Sequence, residues 1–389
     1  MVMRKTKLLF IMESLGIGGA EKSLLTLLSK LDYDRFDVSL FLFRHNGELM
    51  QFLPAEVNLL PEDTSFAVFA NNRKTAPLAY LRRGDFVRAW YSFCYLIGCV
   101  WQRLTNKPLY IGWHFVRRLF GDNGLSADIA IAYLERKCVY FTAEKVSAPC
   151  KIAFVHNDYS VYPHDAKLDT CYFADYRTIA TVSNHCRHVL AELFPQYAER
   201  FAVVRNTVSS SMIRRMAQEQ LPQALDNDGA LTLVTVGRLV EQKGYDRAIK
   251  ICRMLVDKGL LVRWFAVGGG PARSALEEQV DRLGLRQNFV FVGATANPYP
   301  WMNAADVYVQ PSRFEGFGIT VAEAKALGKR IVCSDIPEFR EQLEDYPNAW
   351  LAASEEEFSR AIEVAAKVPL QACETAEDSI DAFYRCLER

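Results

Sequence analysis

The sequence predicts an α/β fold built from two doubly wound parallel sheets. Apolar strand patterns and helical patterns alternate along nearly all of the 389 residues, which is typical of parallel βα units. Glycine-containing loops follow a predicted strand and precede a predicted helix at 16–22 and again at 315–318. A polar stretch with a proline and a glycine, 218–230, separates two halves of ordinary domain size. We therefore expect domains at 1–222 and 223–375.

Composition excludes several classes of protein. Half of the residues are apolar and a quarter are charged, as in ordinary globular domains. Lys+Arg and Asp+Glu both number 46, so the chain as a whole is not drawn to nucleic acid. The ten cysteines are scattered singly, which favours reduced thiols in a cytoplasmic protein. The first apolar run ends at Glu13 and is too short for a secretion signal. No apolar run reaches the roughly 18 residues that a membrane-spanning helix needs.

Each predicted element follows from its pattern and its flanking residues. Short apolar runs bounded by turn residues predict strands at 7–12, 38–43, 127–132, 151–155, 178–183, 231–236, 263–267, 288–292 and 330–334. Helical spacing of apolar residues, with capping residues at the ends, predicts helices at 23–29, 185–194, 245–258, 273–283, 319–327 and 376–388.

The segment 312–328 is the one around which the second half is organised. Glu315 lies in a loop between a strand and a helix, beside Gly316 and Gly318. The start of the following helix presents unpaired N–H groups and a partial positive charge, which together predict a phosphate site. Glu323, one to two turns into the helix, is placed to accept hydrogen bonds from ribose hydroxyls. The alternative is an ordinary loop with one capping and one solvated glutamate.

The loop 16–22 carries a similar but weaker signal. A glycine-rich turn between a strand and a helix indicates phosphate or nucleotide binding. It differs from the dinucleotide fingerprint, because Glu21 stands at the third glycine position and no acid follows the second strand. The alternative is a tight turn in which Glu21 favours the helix N-terminus.

Two cations mark the start of the second half. Arg238 and Lys243 flank a turn at the carboxyl end of the strand 231–236. A diphosphate leaving group needs its charge neutralised as its bond breaks. Arg can supply this charge bidentately and Lys as a point charge. The alternative is a pair of ordinary surface cations.

These motifs together resemble the retaining group 1 glycosyltransferases of the GT-B fold. The family signature, two glutamates seven residues apart in a Glu-Gly-Phe-Gly context, is matched by Glu315 and Glu323. The elements at 16–22, 201–206 and 237–244 are similar to family elements as well. Gly269 departs from the pattern, since relatives usually have Asp there. The resemblance implies two Rossmann-like domains that face each other across a cleft, with residues 376–389 as a helix that returns to the first domain.

The resemblance also implies roles for individual residues. Catalytic roles fall to Glu315, His156, Arg238 and Lys243. The expected donor-binding residues are Gly18, Gly19, Arg238, Lys243, Val292, Glu315, Gly316, Phe317, Gly318, Ile319 and Glu323. Among these, Val292 is expected near the nucleobase and His156 near the donor sugar. No metal and no cofactor are expected, with a nucleoside-diphosphate sugar as the donor substrate.

The predicted function is sugar transfer from such a donor to a saccharide or lipid-linked acceptor, with retained configuration. The family-level expectation is bacterial surface polysaccharide or lipopolysaccharide synthesis, in the cytoplasm or at the inner face of the plasma membrane. Two alternatives are a non-catalytic scaffold in polysaccharide assembly and a nicotinamide-dependent oxidoreductase built on the loop 16–22.

Residues 73–118 differ from their surroundings. They contain nine Lys or Arg against Asp85 alone, with aromatic residues interleaved. This pattern predicts an amphipathic segment at a membrane interface, where neutralising Arg82, Arg83, Arg117 and Arg118 would weaken binding to anionic vesicles. The alternative is a helical hairpin whose aromatic side chains fill the core. A nucleic-acid groove is disfavoured, because no nucleic-acid motif accompanies the segment.

Overall fold

The computed structural model describes residues 4–105, 112–161, 164–221, 229–372 and 379–388. The chain forms two compact units. The first unit comprises Met1–Val182, Cys186–Arg205 and Ile380–Arg389, and the second comprises Ser183–His185 and Asn206–Ser379. The expected α/β class with two Rossmann-like domains is confirmed.

Strands and helices alternate along most of the described residues, and four helices in succession separate β3 from β4. The strands are β1 (Thr6–Met12), β2 (Phe36–Leu42), β3 (Asn58–Leu59), β4 (Ile129–Ala132), β5 (Cys150–Val155), β6 (Thr178–Thr181), β7 (Phe201–Val203), β8 (Leu231–Val236), β9 (Val262–Val267), β10 (Phe289–Gly293), β11 (Val307–Gln310), β12 (Arg330–Ser334) and β13 (Ala349–Ala352). The helices are α1 (Gly19–Lys30), α2 (Thr64–Asn71), α3 (Ala76–Arg82), α4 (Phe86–Thr105), α5 (Gly112–Val116), α6 (Lys137–Lys145), α7 (Ala166–Phe173), α8 (Asn184–Leu193), α9 (Ser210–Met216), α10 (Tyr245–Asp257), α11 (Arg273–Arg282), α12 (Tyr299–Ala304), α13 (Ile319–Ala326), α14 (Pro337–Leu343), α15 (Glu355–Lys367) and α16 (Asp381–Glu388).

The first unit is built on a parallel sheet with the strand order β3-β2-β1-β4-β5-β6-β7. Its central strands are apolar on both faces, because helices cover both sides of a parallel sheet. In the register of this sheet, Leu9 of β1 pairs with Ser39 of β2 on one side and with Ala130 of β4 on the other. One face packs on an aromatic cluster in which the rings of Phe66 and Phe120 stack with their centroids 4.0 Å apart.

The second unit has the strand order β10-β9-β8-β11-β12-β13, again parallel throughout. The chain leaves β8 in one direction along the sheet and returns to β11 on its other side. This reversal is the topological switch point, and ligands of open α/β sheets bind beside it, at the carboxyl ends of the strands. The loops after β8 and β11, which carry the predicted site residues, both lie at this edge.

The last helix belongs to the first unit. The ring of Phe383 in α16 stacks on Phe10 of β1 with centroids 6.0 Å apart, and Arg177 donates a hydrogen bond to the Leu387 carbonyl over 2.9 Å. The predicted start at 376 is wrong in part. The helix begins at Asp381, residues 379–380 precede it, and 376–378 lie outside the described residues.

The two compact units divide at Arg205 and Asn206, whereas the sequence pattern placed the boundary at 218–230. The reason is the packing of α9 against the second unit. Arg214 of α9 donates to the Ala326 carbonyl of α13 over 3.1 Å, and Asn297 donates to the Met216 carbonyl over 3.0 Å. Most of the polar stretch, 222–228, lies outside the described residues.

Residues 73–118 include three helices, α3, α4 and α5. Trp113 of α5 is buried in the core of the first unit, and its indole N–H donates to the Tyr172 hydroxyl over 3.0 Å. The burial of Trp113 agrees with the part of the alternative that placed aromatic side chains in the core. Within the described ranges, no helix is both long and apolar enough to cross a bilayer.

Candidate functional site

Backbone contacts join the loops that follow β8 and β11 at the switch point of the second unit. The Arg313 N–H donates to the Gln242 carbonyl over 2.8 Å, and the Gln242 side chain donates to the Phe314 carbonyl over 3.1 Å. Gly244 has a φ of +66°, and a Cβ there would lie 2.0 Å from the Pro311 oxygen. Only glycine permits this approach, so the two loops form one rigid surface.

Lys243 and Glu315 meet on that surface. The Lys243 Nζ lies 2.6 Å from Oε1 and 2.9 Å from Oε2 of Glu315. The Lys243 side chain is 15% exposed and the Glu315 side chain 5%. An ion pair this sheltered from water is held by strong, charge-assisted hydrogen bonds. The structure thus brings together two of the four predicted catalytic residues, from loops 72 residues apart.

A series of buried hydrogen bonds that begins in β11 ends on the Glu315 carboxylate and holds it in place. The Ser312 hydroxyl donates to Glu315 Oε1 over 2.7 Å, and the Gln310 amide donates to the Ser312 oxygen over 2.8 Å. The Tyr308 hydroxyl donates in turn to Gln310 Oε1 over 2.6 Å. Burial raises the pKa of Tyr308, and the nearby charges of Glu323 and Glu315 raise it further. Sequence analysis did not assign a role to these hydrogen bonds, because they are made by uncharged residues in and just after an ordinary strand.

A second ion pair, between Arg313 and Asp246, stabilises the same surface on its solvent-exposed side. Arg313 donates to both carboxylate oxygens of Asp246, over 2.8 and 2.7 Å, and also to the Glu241 carbonyl over 2.8 Å. The Arg313 hydrogen bonds hold the pKa of Asp246 below its usual range. Fork-like pairing of this kind fixes geometry as well as charge. It fastens the start of α10 to the loop that carries Glu315.

Arg238 lies at the same edge of the sheet but, unlike Lys243, is exposed to solvent. Within the described part of the chain, its guanidinium has no hydrogen-bond or ion-pair partner. The next residue, Leu239, donates its N–H to the Gly269 carbonyl over 2.9 Å, so the turn is anchored while the Arg238 side chain faces solvent. Five N–H donors are thus available to an anion at this position.

Glu323 is held deeper than the other charged residues of the site. It is only 1% exposed, and the Tyr299 hydroxyl of α12 donates to its Oε1 over 2.9 Å. Burial raises the pKa of Tyr299 well above its ordinary value, and the Glu323 charge adds to this. Tyr299 was missed by sequence analysis, because a tyrosine beside prolines carries no motif.

The helix start at α13 has its backbone shaped by packing. Gly318 has a φ of +79°, and a Cβ there would lie 2.3 Å from the Phe339 ring. The glycine is therefore required by the ring of Phe339 as well as by the turn. Phe317 is buried, and its carbonyl accepts a hydrogen bond from Gln342 over 3.0 Å. The roles predicted for Gly316, Phe317, Gly318 and Ile319 toward a donor remain predictions.

Val292 lies half-buried in β10, beside a register shift between Phe291 and Gly293. A bulge near a carboxyl edge re-aims the backbone at that edge. The predicted contact between Val292 and a nucleobase remains a prediction.

His156 follows β5 at the carboxyl edge of the first unit. Its ring Nε2 lies 3.0 Å from the Tyr133 carbonyl, and its backbone N–H donates to Glu135 Oε2 over 2.9 Å. Because a carbonyl can only accept, the ring carries a proton on Nε2. Glu135 is itself buried and also accepts from the Asn157 amide. This acid after β4 was not anticipated, although its place at a strand end is a signal that could have found it.

The loop before α1 also lies in the first unit. The Glu21 carboxylate folds back over the helix start, since a Cβ on Gly18 would lie 2.0 Å from its Oε2. A carboxylate there interacts favourably with the helix N-terminus. This geometry fits the alternative given for the loop, and the predicted contact of Gly18 and Gly19 with a diphosphate remains a prediction.

Residues 217–380 match the protein family described as "Glycosyl transferases group 1". The chain contains a group 1 glycosyltransferase domain. This domain includes Arg238, Lys243, Glu315 and Glu323, so the motifs recognised in the sequence lie within the matched region.

Curated glycosyltransferases are similar to this chain over part of their length. A lipopolysaccharide core biosynthesis mannosyltransferase, LpsB of Rhizobium meliloti, is 39% identical over 112 residues, 27% of this chain and 31% of the relative. An uncharacterized glycosyltransferase of Methanocaldococcus jannaschii, MJ1059, is 24% identical over 165 residues, 42% of this chain and 40% of the relative. The similarity thus spans less than half the length of these relatives.

Solved structures extend the likeness of fold to both units. HepE of Anabaena, solved with UDP and glucose, covers 93% of this chain and 90% of its own, with a TM-score of 0.64 and 19% identity. WaaG, a glycosyltransferase involved in lipopolysaccharide biosynthesis, covers the same shares with a TM-score of 0.55 and 16% identity. The predicted GT-B fold, which comprises both compact units of the chain, is confirmed.

Proposed function

We propose that this chain transfers a sugar from a nucleoside-diphosphate sugar to a saccharide or lipid-linked acceptor, with retention of configuration. The observation that carries the proposal is the switch-point surface of the second unit. There Arg238 is exposed and has no partner among the described residues, at the same sheet edge as the sheltered pair of Lys243 and Glu315. Free positive charge beside a preorganised carboxylate suits an anionic donor that carries hydroxyl groups.

In the reaction, the bond between the anomeric carbon and the diphosphate oxygen breaks, and the diphosphate keeps the electron pair. Arg238 and Lys243 neutralise the charge that develops on it. The acceptor hydroxyl oxygen forms the new bond on the face that the diphosphate leaves, and its proton passes to the departing phosphate oxygen. Glu315 orients the donor sugar through its hydroxyls, and Glu323 holds the ribose.

We further propose that the reaction needs no metal and no cofactor, because the two cations supply the positive charge. The relatives in lipopolysaccharide synthesis favour a saccharide acceptor in a surface polysaccharide pathway. We place the reaction in the cytoplasm or at the inner face of the plasma membrane, where such donors and lipid-linked acceptors meet. The UDP complex of HepE makes UDP-sugars the first donors to test.

The experiment is nucleotide release by the purified protein from a panel of UDP-, GDP- and ADP-sugars, with a chelator present. We expect slow release from one donor and its loss in Arg238→Ala. Arg282→Ala, which removes an exposed arginine of the same unit on α11, is the matched control and should keep full activity. Release that survives Arg238→Ala would refute the assignment of the site.

Silence across the panel, with no thermal shift from any nucleotide, would favour the scaffold in polysaccharide assembly. Binding of a nicotinamide dinucleotide in a direct titration would favour the oxidoreductase instead. These three outcomes separate the proposed function from its alternatives without knowledge of the acceptor.

A further inference from the structure

The longest helix of the first unit leaves an apolar face in solvent. Along α4, large hydrophobic side chains recur every three or four residues and stay roughly half or more exposed, a set that we call the apolar stripe: Phe86, Trp90, Phe93, Ile97, Val100, Trp101 and Leu104. A helix of 20 residues is about 30 Å long. Scattered exposed hydrophobic residues are ordinary, but a continuous row of this length indicates an interaction surface.

The opposite face of α4 shows that the helix is firmly placed. Ala89 and Ser92 are buried, and the Tyr95 ring packs edge-on against Phe69 with centroids 5.1 Å apart. Arg88 donates to the Leu119 carbonyl over 3.0 Å and pairs with Asp85. The helix is therefore seated on the core by one side, and the apolar stripe is the side that the first unit leaves uncovered.

Cations accompany the stripe. Arg82 and Arg83 are exposed where α3 ends, shortly before α4 begins, and Lys74 is exposed two residues before α3. The acid nearest to Arg82 and Arg83 in the sequence, Asp85, is paired with Arg88. Leu78 and Leu81 of α3 are also about half exposed.

We propose that the apolar stripe and the adjoining cations of α3 seat the first unit on an anionic lipid surface, with α4 lying in the plane of the interface. Trp and Phe suit the boundary between headgroups and acyl chains, and Arg and Lys suit anionic headgroups. Cations close to an anionic membrane surface strengthen the attachment to it. The inference extends the proposed function, because a lipid-linked acceptor would lie at that surface, but it is tested by lipid binding and not by sugar transfer.

A second copy of the chain is a poorer occupant of this face. Between residues 73 and 118 there are nine cations and one acid. Two copies of α4 that paired along the stripe would bring these basic segments together without acidic partners, and like charges in contact oppose association. Charge complementarity therefore favours an anionic lipid surface over self-association.

The structure also decides which cations to change. Arg117 pairs with Glu144 over 2.8 Å, and the Arg118 guanidinium lies 5.7 Å from the centre of the Tyr91 ring. Neutralising these two residues would disturb packing within the unit. Arg82 and Arg83 have no such contacts in the described part of the chain. Arg82→Gln with Arg83→Gln is therefore the informative charge variant.

The test is co-sedimentation of the full-length protein with phosphatidylcholine vesicles, with and without phosphatidylglycerol. We expect binding that requires phosphatidylglycerol and weakens at high salt. Trp90→Ser with Ile97→Ser should lower the partition coefficient at least tenfold, and the charge variant several-fold. The matched controls are Leu261→Ser with Leu351→Ser for the apolar change and Lys167→Gln with Arg187→Gln for the charge change, all at exposed positions.

Two results would overturn the inference. One is absence of binding to any vesicle, and the other is binding that Trp90→Ser with Ile97→Ser leaves unchanged. A dimer in sedimentation velocity that this variant converts to a monomer would assign the face to a second copy instead. Nucleotide release in solution should stay as in the parent for the stripe variant, so a failure of the proposed function and a failure of this inference give different results.

Discussion

Lys243 on the loop after β8 holds Glu315 on the loop after β11 through contacts of 2.6 and 2.9 Å to its two carboxylate oxygens. Removing the lysine would leave a carboxylate that is 5% exposed without its counter-charge. Breaking a buried pair costs more than the pair itself contributes. We expect Lys243→Met to destabilise the second unit by about 3 kcal/mol, the lower end for a buried pair, because the lysine is partly exposed.

Urea denaturation measures this effect. The double variant, Lys243→Met with Glu315→Gln, should recover part of the lost stability because no charge remains buried. Nucleotide release should be lost in both variants. A double variant that is less stable than Lys243→Met would show that the pair does not behave as coupled charges.

Ser312 connects Gln310 to Glu315, and Ser312→Ala should interrupt that chain. The Gln310 amide and the Glu315 carboxylate would each lose a buried partner, so we expect a loss of about 1–2 kcal/mol in unfolding free energy. Ser334→Ala is the matched control. Ser334 is also buried, and its hydroxyl has no hydrogen-bond partner within the described residues, so its removal should cost little. Equal losses of unfolding free energy in both variants would show that the hydrogen bonds of Ser312 do not stabilise the position of Glu315.

Tyr299 positions Glu323, and Tyr299→Phe should remove the hydroxyl that fixes its Oε1. If Glu323 holds the donor ribose, the KM for the donor should rise about tenfold while kcat changes little. Tyr346→Phe removes a comparable buried hydroxyl, which donates to the Lys329 carbonyl over 2.7 Å away from the site, and should leave both constants unchanged. A fall in kcat at constant KM would place Glu323 in the chemical step instead.

Asp169 should make the stability of the first unit depend on pH. Burial is the main cause that raises its pKa to about 6, although the Tyr140 hydroxyl donates to it. The folded state therefore favours the protonated acid. The stability that this group contributes is present below its unfolded pKa of 3.8 and is lost as pH rises through about 6.

Asp169→Asn, which needs no proton, should be more stable than the parent by about 1–3 kcal/mol above pH 6 and equal to it below pH 4. Thermal denaturation across this range measures the difference. Asp175→Asn, at an exposed position nearby, should stay within about 0.5 kcal/mol of the parent at every pH. A constant offset for Asp169→Asn at all pH values would contradict the titration.

The sequence predicted most of the sheet strands because their apolar runs are buried on both faces. The ends of β8 and β12 were predicted to the residue, and several others differ by one or two residues. The strands β3 and β13 were missed, since β3 has two residues and three of the four residues of β13 are not buried. An edge strand has less apolar surface to bury, and so its pattern is weak.

The site was predicted to different degrees for physical reasons. Lys243 and Glu315 could be predicted from the sequence. Each is a charged residue that stands directly before a glycine in a loop that follows an apolar strand. Gln310, Tyr299 and Asp246 could not be found in this way, because their roles come from contacts between distant segments. The functional roles of His156 and Gly18 stay predictions.

The packing of α16 on β1 has a consequence for synthesis. The first unit starts with β1, yet Phe383 covers Phe10 only after the whole second unit has left the ribosome. Until then one side of the first sheet, including Phe10 and Phe154, lacks its cover. A premature stop codon just before Ile380 would leave the second unit complete, but it would remove α16 from the first unit. The first unit is therefore synthesised with part of its apolar sheet uncovered, a state that favours aggregation until α16 has been made.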